Sequence, residues 1–144
     1  MKRKIDVQNW DRRDHFEFYS KFKEPYHGVN VSMDISILRN HCKKEGKSVF
    51  MAYLHRAIIA VNKVVAMRYR LIQNQVYLFD TSHVTMTIAR EHAPFGFSFV
   101  AFNQDYSVFE AEALKEFDRV RQGRAALNPS NQYVGYTIGI AQGI

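Results

Sequence analysis

The sequence predicts an α+β or mixed-sheet α/β fold, on three observations. Apolar residues recur at helical spacing in four stretches. After Met67 that period gives way to two-residue alternation. Helical and strand-like stretches then interleave along the chain, and a final alternating stretch follows the last helix. A length of 144 residues, 47% hydrophobic and 24% charged, fits one domain over 1–144 with a core of its own.

The first element spans about 11–22, where Phe16, Tyr19 and Phe22 fall at helical spacing and Pro25 stops the run. From 27 to 33 the chain alternates, Val29, Val31 and Met33 against Asn30 and Ser32, which predicts a strand. Asp34 is a good N-cap for a short helix carrying Ile35, Leu38 and Cys42, with Gly46 as its stop. Ser48 opens a longer helix whose stripe is Phe50, Leu54, Ala57, Ile58, Val61 and Val65. Strands at 70–72 and 76–79 flank Gln73-Asn74-Gln75 as a three-residue hairpin turn. Val84, Met86 and Ile88 mark another strand, and 95–102 a further one. Ser107 and Glu110 form a capping box for a helix burying Phe109, Ala113, Phe117 and Val120 and ending at Gly123. Between 133 and 141 bulky residues alternate with Gly, Thr and Ala, so a last strand is expected there.

Charge and thiol content narrow the classes of function. Lys and Arg number 20 against 14 Asp and Glu, a net charge of +6 that favours anionic partners. Cys42 is the one cysteine, which excludes an intrachain disulfide and a Cys-based zinc cluster and suits a reducing compartment. The mostly apolar stretch 57–67 is broken by Asn62 and Lys63 and is too short to span a bilayer. The basic start has no apolar run behind it. A cytoplasmic protein without membrane partners is the expectation.

The six histidines form no metal-binding pattern, so no metal site is expected. His15, His41 and His55 read as solvated or packed, and Cys42 as a small core residue. There is no glycine-rich phosphate loop, and Glu110, Glu112, Glu116 and Asp118 read as solvating charge. The strand Gly96-Phe97-Ser98-Phe99-Val100-Ala101-Phe102 approximates the aromatic strand of an RNA-recognition module. Phe95 and Ser98 depart from that pattern, and 27–31 supplies no partner ring. An RNA-binding module using Phe97, Phe99 and Phe102 is therefore an alternative, with nucleic acid a disfavoured partner.

A more specific pattern opens the chain. Trp10-Asp-Arg12-Arg13-Asp-His15-Phe16-Glu-Phe18-Tyr19 resembles the opening signature of the chloramphenicol acetyltransferase family. The resemblance continues at Val31-Ser-Met-Asp34-Ile35, Ser48-Val-Phe50, Ala60-Val61-Asn62, Arg68-Tyr-Arg70, Val76-Tyr-Leu-Phe-Asp80-Thr81 and Thr87-Ile88. It covers 5–122 and leaves the tail, 123–144, unmatched. It implies an α/β fold with a mixed β-sheet and flanking helices, the CoA-dependent acyltransferase fold. It also implies a trimer, acetyl-CoA as co-substrate, and acetyl transfer to a hydroxyl of chloramphenicol or a similar small-molecule acceptor. By the same resemblance Tyr19, Tyr26 and Phe102 line the acceptor pocket, and Arg12 supports the site by pairing with an Asp of the family.

The family's general base is a histidine in a His-His-x-x-x-Asp-Gly motif. No His-His pair exists in these 144 residues, and no histidine follows His92. A truncated member without a catalytic residue of its own is therefore expected, inactive alone. A non-catalytic ligand-binding or interaction remnant of that fold is the alternative.

Overall fold

The structure, a computed structural model, describes residues 1–26 and 28–123, and the backbone of 137–139. Two three-stranded sheets share the fold with four helices among these residues. The first sheet contains β1 (Lys2–Lys4), β2 (Tyr69–Ile72) and β3 (Gln75–Phe79) in the order β1-β3-β2, all antiparallel. The second contains β4 (His83–Ile88), β5 (Gly96–Val100) and β6 (Thr137–Gly139) in the order β5-β4-β6. Strand β4 runs antiparallel to β5 and parallel to β6, so this sheet is mixed as expected.

The helices are α1 (Arg13–Tyr19), α2 (Ser36–Lys44), α3 (Val49–Lys63) and α4 (Tyr106–Gln122). The core is formed by α3 and α4 with β4 and β5. Met51, Leu54 and Ile58 from α3 join Phe109, Ala113, Phe117 and Val120 from α4, against Val84, Met86, Ile88 and Val100. Each large apolar side chain removed from water there contributes about 1.5–3 kcal/mol. Gly96 is required by this packing, because a Cβ on it would lie 2.6 Å from Val120 Cγ1.

Helix ends follow local chemistry. Ser48 Oγ accepts the Met51 N–H at 3.3 Å and starts α3. Gly46, at φ +63°, ends α2, and the Lys47 N–H returns to the Cys42 carbonyl at 2.9 Å. Cys42 is fully buried on α2, as the core reading requires.

Several expectations are corrected. The segment after Pro25 forms no strand: residues 28–35 have no regular structure, and Val29, Val31 and Met33 are exposed. Alternation fits a chain to a strand only where a neighbour supplies the ladder, and no described strand lies beside it. Helix α2 starts at Ser36 with Ile35 as its N-cap, while Asp34 Oδ1 accepts the Ser36 N–H at 2.8 Å. On α3 the expected Leu54 and Ile58 are buried and Phe50 and Val61 pack against the core, but Met51 and His55 are buried as well and Val65 is exposed. The hairpin turn has two residues, since Gln75 pairs with Ile72 and both Gln73 and Asn74 have positive φ. That is the turn whose twist matches its strands. Asp105 caps α4 in place of Ser107, accepting the Ser107 and Val108 N–H groups at 2.8 and 3.2 Å. Of the expected tail strand, 137–139 is a strand, and the rest of 133–141 lies outside the described residues.

Candidate functional site

An open cleft of about 710 Å³ lies beside α1 and the β2–β3 hairpin, a volume suited to a small molecule. One wall is Trp10, Arg12, His15, Phe16 and Tyr19, and Leu71 and Asn74 of the hairpin face it. The first wall follows from helical spacing: positions 12, 15, 16 and 19 share one side of α1 and its first turn. Trp10 is fixed by its neighbours, with ring centroids 6.1 Å from Phe16 and 5.0 Å from Tyr69.

Two donors on this wall have no hydrogen-bond acceptor among the described residues. The Trp10 indole Nε1 is buried with no hydrogen-bond partner among the described residues. Arg12 is exposed, its guanidinium 6.0 Å from the Tyr69 ring centroid. Three acids that could serve it are engaged elsewhere. Glu17 pairs with Arg13 at 2.8 Å, Asp80 with the Met1 ammonium at 3.1 Å, and Asp34 accepts from Ser36. The Glu17 carboxylate also raises the Arg13 pKa, by hydrogen bond first and by charge second. A ligand with an aromatic or apolar body and an oxygen acceptor matches such a cleft.

The four residues singled out from the sequence separate in space. Arg12 and Tyr19 share the cleft. Tyr26 is 88% exposed and is not among the cleft residues. Phe102 packs instead against the core formed by α3, α4 and the second sheet. This also removes Phe102 from any stacking platform with Phe97 and Phe99. The Glu116 carboxylate lies at that strand too, accepting the Phe99 N–H at 2.8 Å, an unfavourable neighbour for phosphate. Leu71 and Asn74 are cleft residues that sequence reasoning missed; the hairpin turn marked their position but not their proximity to α1.

No described histidine has the arrangement of an oriented base. His15 lines the cleft but has no carboxylate paired to it among the described residues. His55 is buried in α3, its Nε2–H donating to the Asn103 carbonyl at 2.9 Å. His83 accepts the Phe102 N–H on Nδ1 at 3.0 Å, and burial, then the positive N-terminus, lowers its pKa. His92 approaches Glu91 at 3.7 Å with both side chains in solvent. His27 lies outside the described residues. No group of three metal-binding side chains occurs among the described residues.

Comparison with known proteins decides the family. The model of the family described as chloramphenicol acetyltransferase matches residues 2–140. The chain belongs to the chloramphenicol acetyltransferase family. The match extends beyond residues 5–122 at both ends, into the tail where the motif resemblance stops. A chloramphenicol acetyltransferase from Campylobacter coli is 29% identical over 117 residues, covering 80% of this chain and 55% of the relative. Chloramphenicol acetyltransferase 2 from Escherichia coli is 26% identical over 125 residues, covering 87% of this chain and 53% of the relative. A solved chloramphenicol acetyltransferase superposes with a TM-score of 0.87 at 26% identity, over 98% of this chain and 69% of that one. The chain spans about half the length of the curated relatives it matches. Among the described residues, no helix is long and apolar enough to cross a membrane.

Proposed function

We propose that this chain supplies acceptor-binding structure for acetyl transfer from acetyl-CoA to a hydroxyl of chloramphenicol or a similar alcohol. The observation that carries the reading is the cleft joining Arg12 and Tyr19, where the exposed Arg12 guanidinium is available to an acceptor and the Trp10 indole N–H is buried and unpaired among the described residues. The reaction needs a base to take the alcohol proton as its oxygen attacks the thioester carbonyl, with CoA leaving as a thiol. His15 is solvated and unoriented, and no His-His pair is present. The chain alone therefore binds without turning over. Trimer formation and a cytoplasmic setting belong to the same proposal.

A thiol-release assay with acetyl-CoA and chloramphenicol tests it, run beside the Campylobacter coli relative. The expected rate is at least ~10²-fold below that enzyme, the lower end of what a positioned base contributes. Turnover within tenfold of the control overturns the inactive reading and makes His15 the first residue to substitute. Calorimetric titration of chloramphenicol into the chain and into Tyr19→Ala tests the binding half. Equal heats from both overturn the assignment of the cleft.

The second reading, an interaction remnant without acyl transfer, is favoured by one observation. Phe18, Tyr19 and Phe22 are all about half exposed and pack on one another at centroid distances of 5.1–5.4 Å. Chloramphenicol binding that is absent, together with stable self-association, would select it.

A further inference from the structure

Helices α2 and α3 pack on one another, and a second groove, of about 310 Å³, lies between them. Helical spacing puts His41 and Cys42 on one side of α2, and His55, Arg56 and Ile59 on one side of α3. Gly46, at φ +63°, turns the chain after α2, and the Lys47 N–H is anchored on the Cys42 carbonyl. The Lys47 side chain thereby enters the groove, its Nζ 5.8 Å from the Tyr106 ring centroid. No residue of this groove belongs to the cleft beside α1.

The groove is cationic and has no acid in its lining. His41, Lys47 and Arg56 are exposed around it, and no Asp or Glu stands among its lining residues. None of the three takes part in an ion pair among the described residues. The two carboxylates near Tyr106 in sequence are engaged: Asp105 caps α4, and Glu110 accepts the Tyr106 hydroxyl at 2.7 Å. The surrounding charge has the same sign. Residues 35–68 contain seven Lys and Arg against one acid, Glu45, a balance of +6 that equals the net charge of the whole chain. Buried Cys42 and His55 lie at the base, His55 held by its bond to the Asn103 carbonyl at 2.9 Å. Leu38, Ala52 and Ile59 add half-buried apolar surface.

Those features select the ligand. A phosphate monoester carries about −1.5 to −2 charges at neutral pH and three acceptor oxygens. It therefore answers an ammonium and a guanidinium together, the guanidinium through two parallel bonds. A carboxylate, with one charge, leaves one of the two cations unmet. The volume is at the low end for small-molecule sites, room for one ring or a short chain beside the phosphate. We propose that the α2–α3 groove binds a small phosphate monoester, with its phosphate on Lys47 and Arg56, His41 at the rim, and its body against Leu38, Ala52 and Ile59. This is a second ligand site, and it does not rest on the acetyl-transfer reading.

Phenyl phosphate titrated into the full chain at fixed ionic strength, followed by NMR, tests the site. Saturable shifts confined to the α2–α3 region are expected, with a Kd of about 1 mM or tighter. Benzoate should bind about tenfold more weakly, and Lys47→Gln and Arg56→Gln should each weaken phenyl phosphate about tenfold. Lys63→Gln, an exposed cation of α3 outside the groove, should leave the affinity unchanged. All three positions are exposed, so the substitutions do not endanger folding. No saturation, equal affinity for benzoate, or equal losses at Lys47 and Lys63 overturns the proposal. Displacement of phenyl phosphate by acetyl-CoA overturns it too, because the groove then belongs to the co-substrate. So does a short single-stranded RNA that binds more tightly and loses as much with Lys63→Gln as with Lys47→Gln, since the stretch is then a general polyanion surface. Vesicles containing phosphatidic acid identify the source of the phosphate. Competition with phenyl phosphate assigns it to a lipid headgroup, and no competition to a soluble ester; both keep the site.

Discussion

Arg12 is exposed and has no carboxylate beside it, so removing its charge breaks no ion pair among the described residues. Arg12→Ala is expected to change folding stability by no more than about 0.5 kcal/mol in urea denaturation, the usual range for such surface positions. A loss above 2 kcal/mol would reveal a structural partner. His83 behaves differently. Its Nδ1 accepts the Phe102 N–H, and its pKa lies below the usual 6.5 because of burial and the nearby N-terminus. The unfolded chain therefore binds this proton more readily than the folded one. The stabilisation is fully present above pH 6.5 and declines as pH falls toward the folded pKa. Denaturation midpoints should fall between pH 7.5 and 5.5, and His83→Gln should flatten that slope; an unchanged slope assigns the effect to another group. Arg12 and Tyr19, singled out by the resemblance, stand together in one cleft because helical spacing puts them on one side of α1. Tyr26, singled out by the same resemblance, lies beyond the end of α1 and is exposed outside that cleft, a position that helical spacing does not control.

At the scale of the element, competition between neighbouring signals explains what the sequence concealed. Asp105 and Ser107 are both good caps, and the Asp105 carboxylate accepts two backbone N–H groups of the first turn. Those bonds also lower its pKa, the Ser107 side-chain bond foremost. Asp105→Ala should cost about 1 kcal/mol of stability and Ser107→Ala much less. The reverse order in thermal unfolding would restore the capping box. Strand β1 escaped notice because Lys2, Arg3 and Lys4 carry no apolar period. It forms by main-chain pairing with β3, with the Lys2 ammonium 4.7 Å from the Tyr77 ring centroid. A charged, short strand of this kind also protects a sheet edge. The alternation in the tail was legible because β6 has a neighbour, Val84 standing opposite Ile138 in the β4–β6 register. Amides of Thr137–Gly139 should accordingly exchange with the slow class of the second sheet. Free exchange there would remove β6.

For the whole molecule, the sequence conveyed the helix–sheet core because buried positions repeat at the period of their own element. It did not convey the two-sheet division, which depends on β1 joining a hairpin distant in sequence. Nor did it distinguish apolar residues that fill the core from those left on the surface. Phe18, Tyr19 and Phe22 repeat at helical spacing as the α4 core residues do, yet remain 57%, 52% and 46% exposed. Three adjacent half-exposed rings form an apolar patch of the kind that marks an interface. Closed symmetric assembly through α1 is the economical way to cover it, with the same face on each copy contributing. Light scattering on the purified chain should give a mass above that of one chain, rising with concentration. Phe22→Lys should return it to a single chain by placing a charge among the rings. Arg12→Ala should leave the mass unchanged, because that side chain projects into the cleft and not into the aromatic cluster. A monomer at every concentration would remove the interface reading of these rings and leave Tyr19 alone among them as a cleft residue.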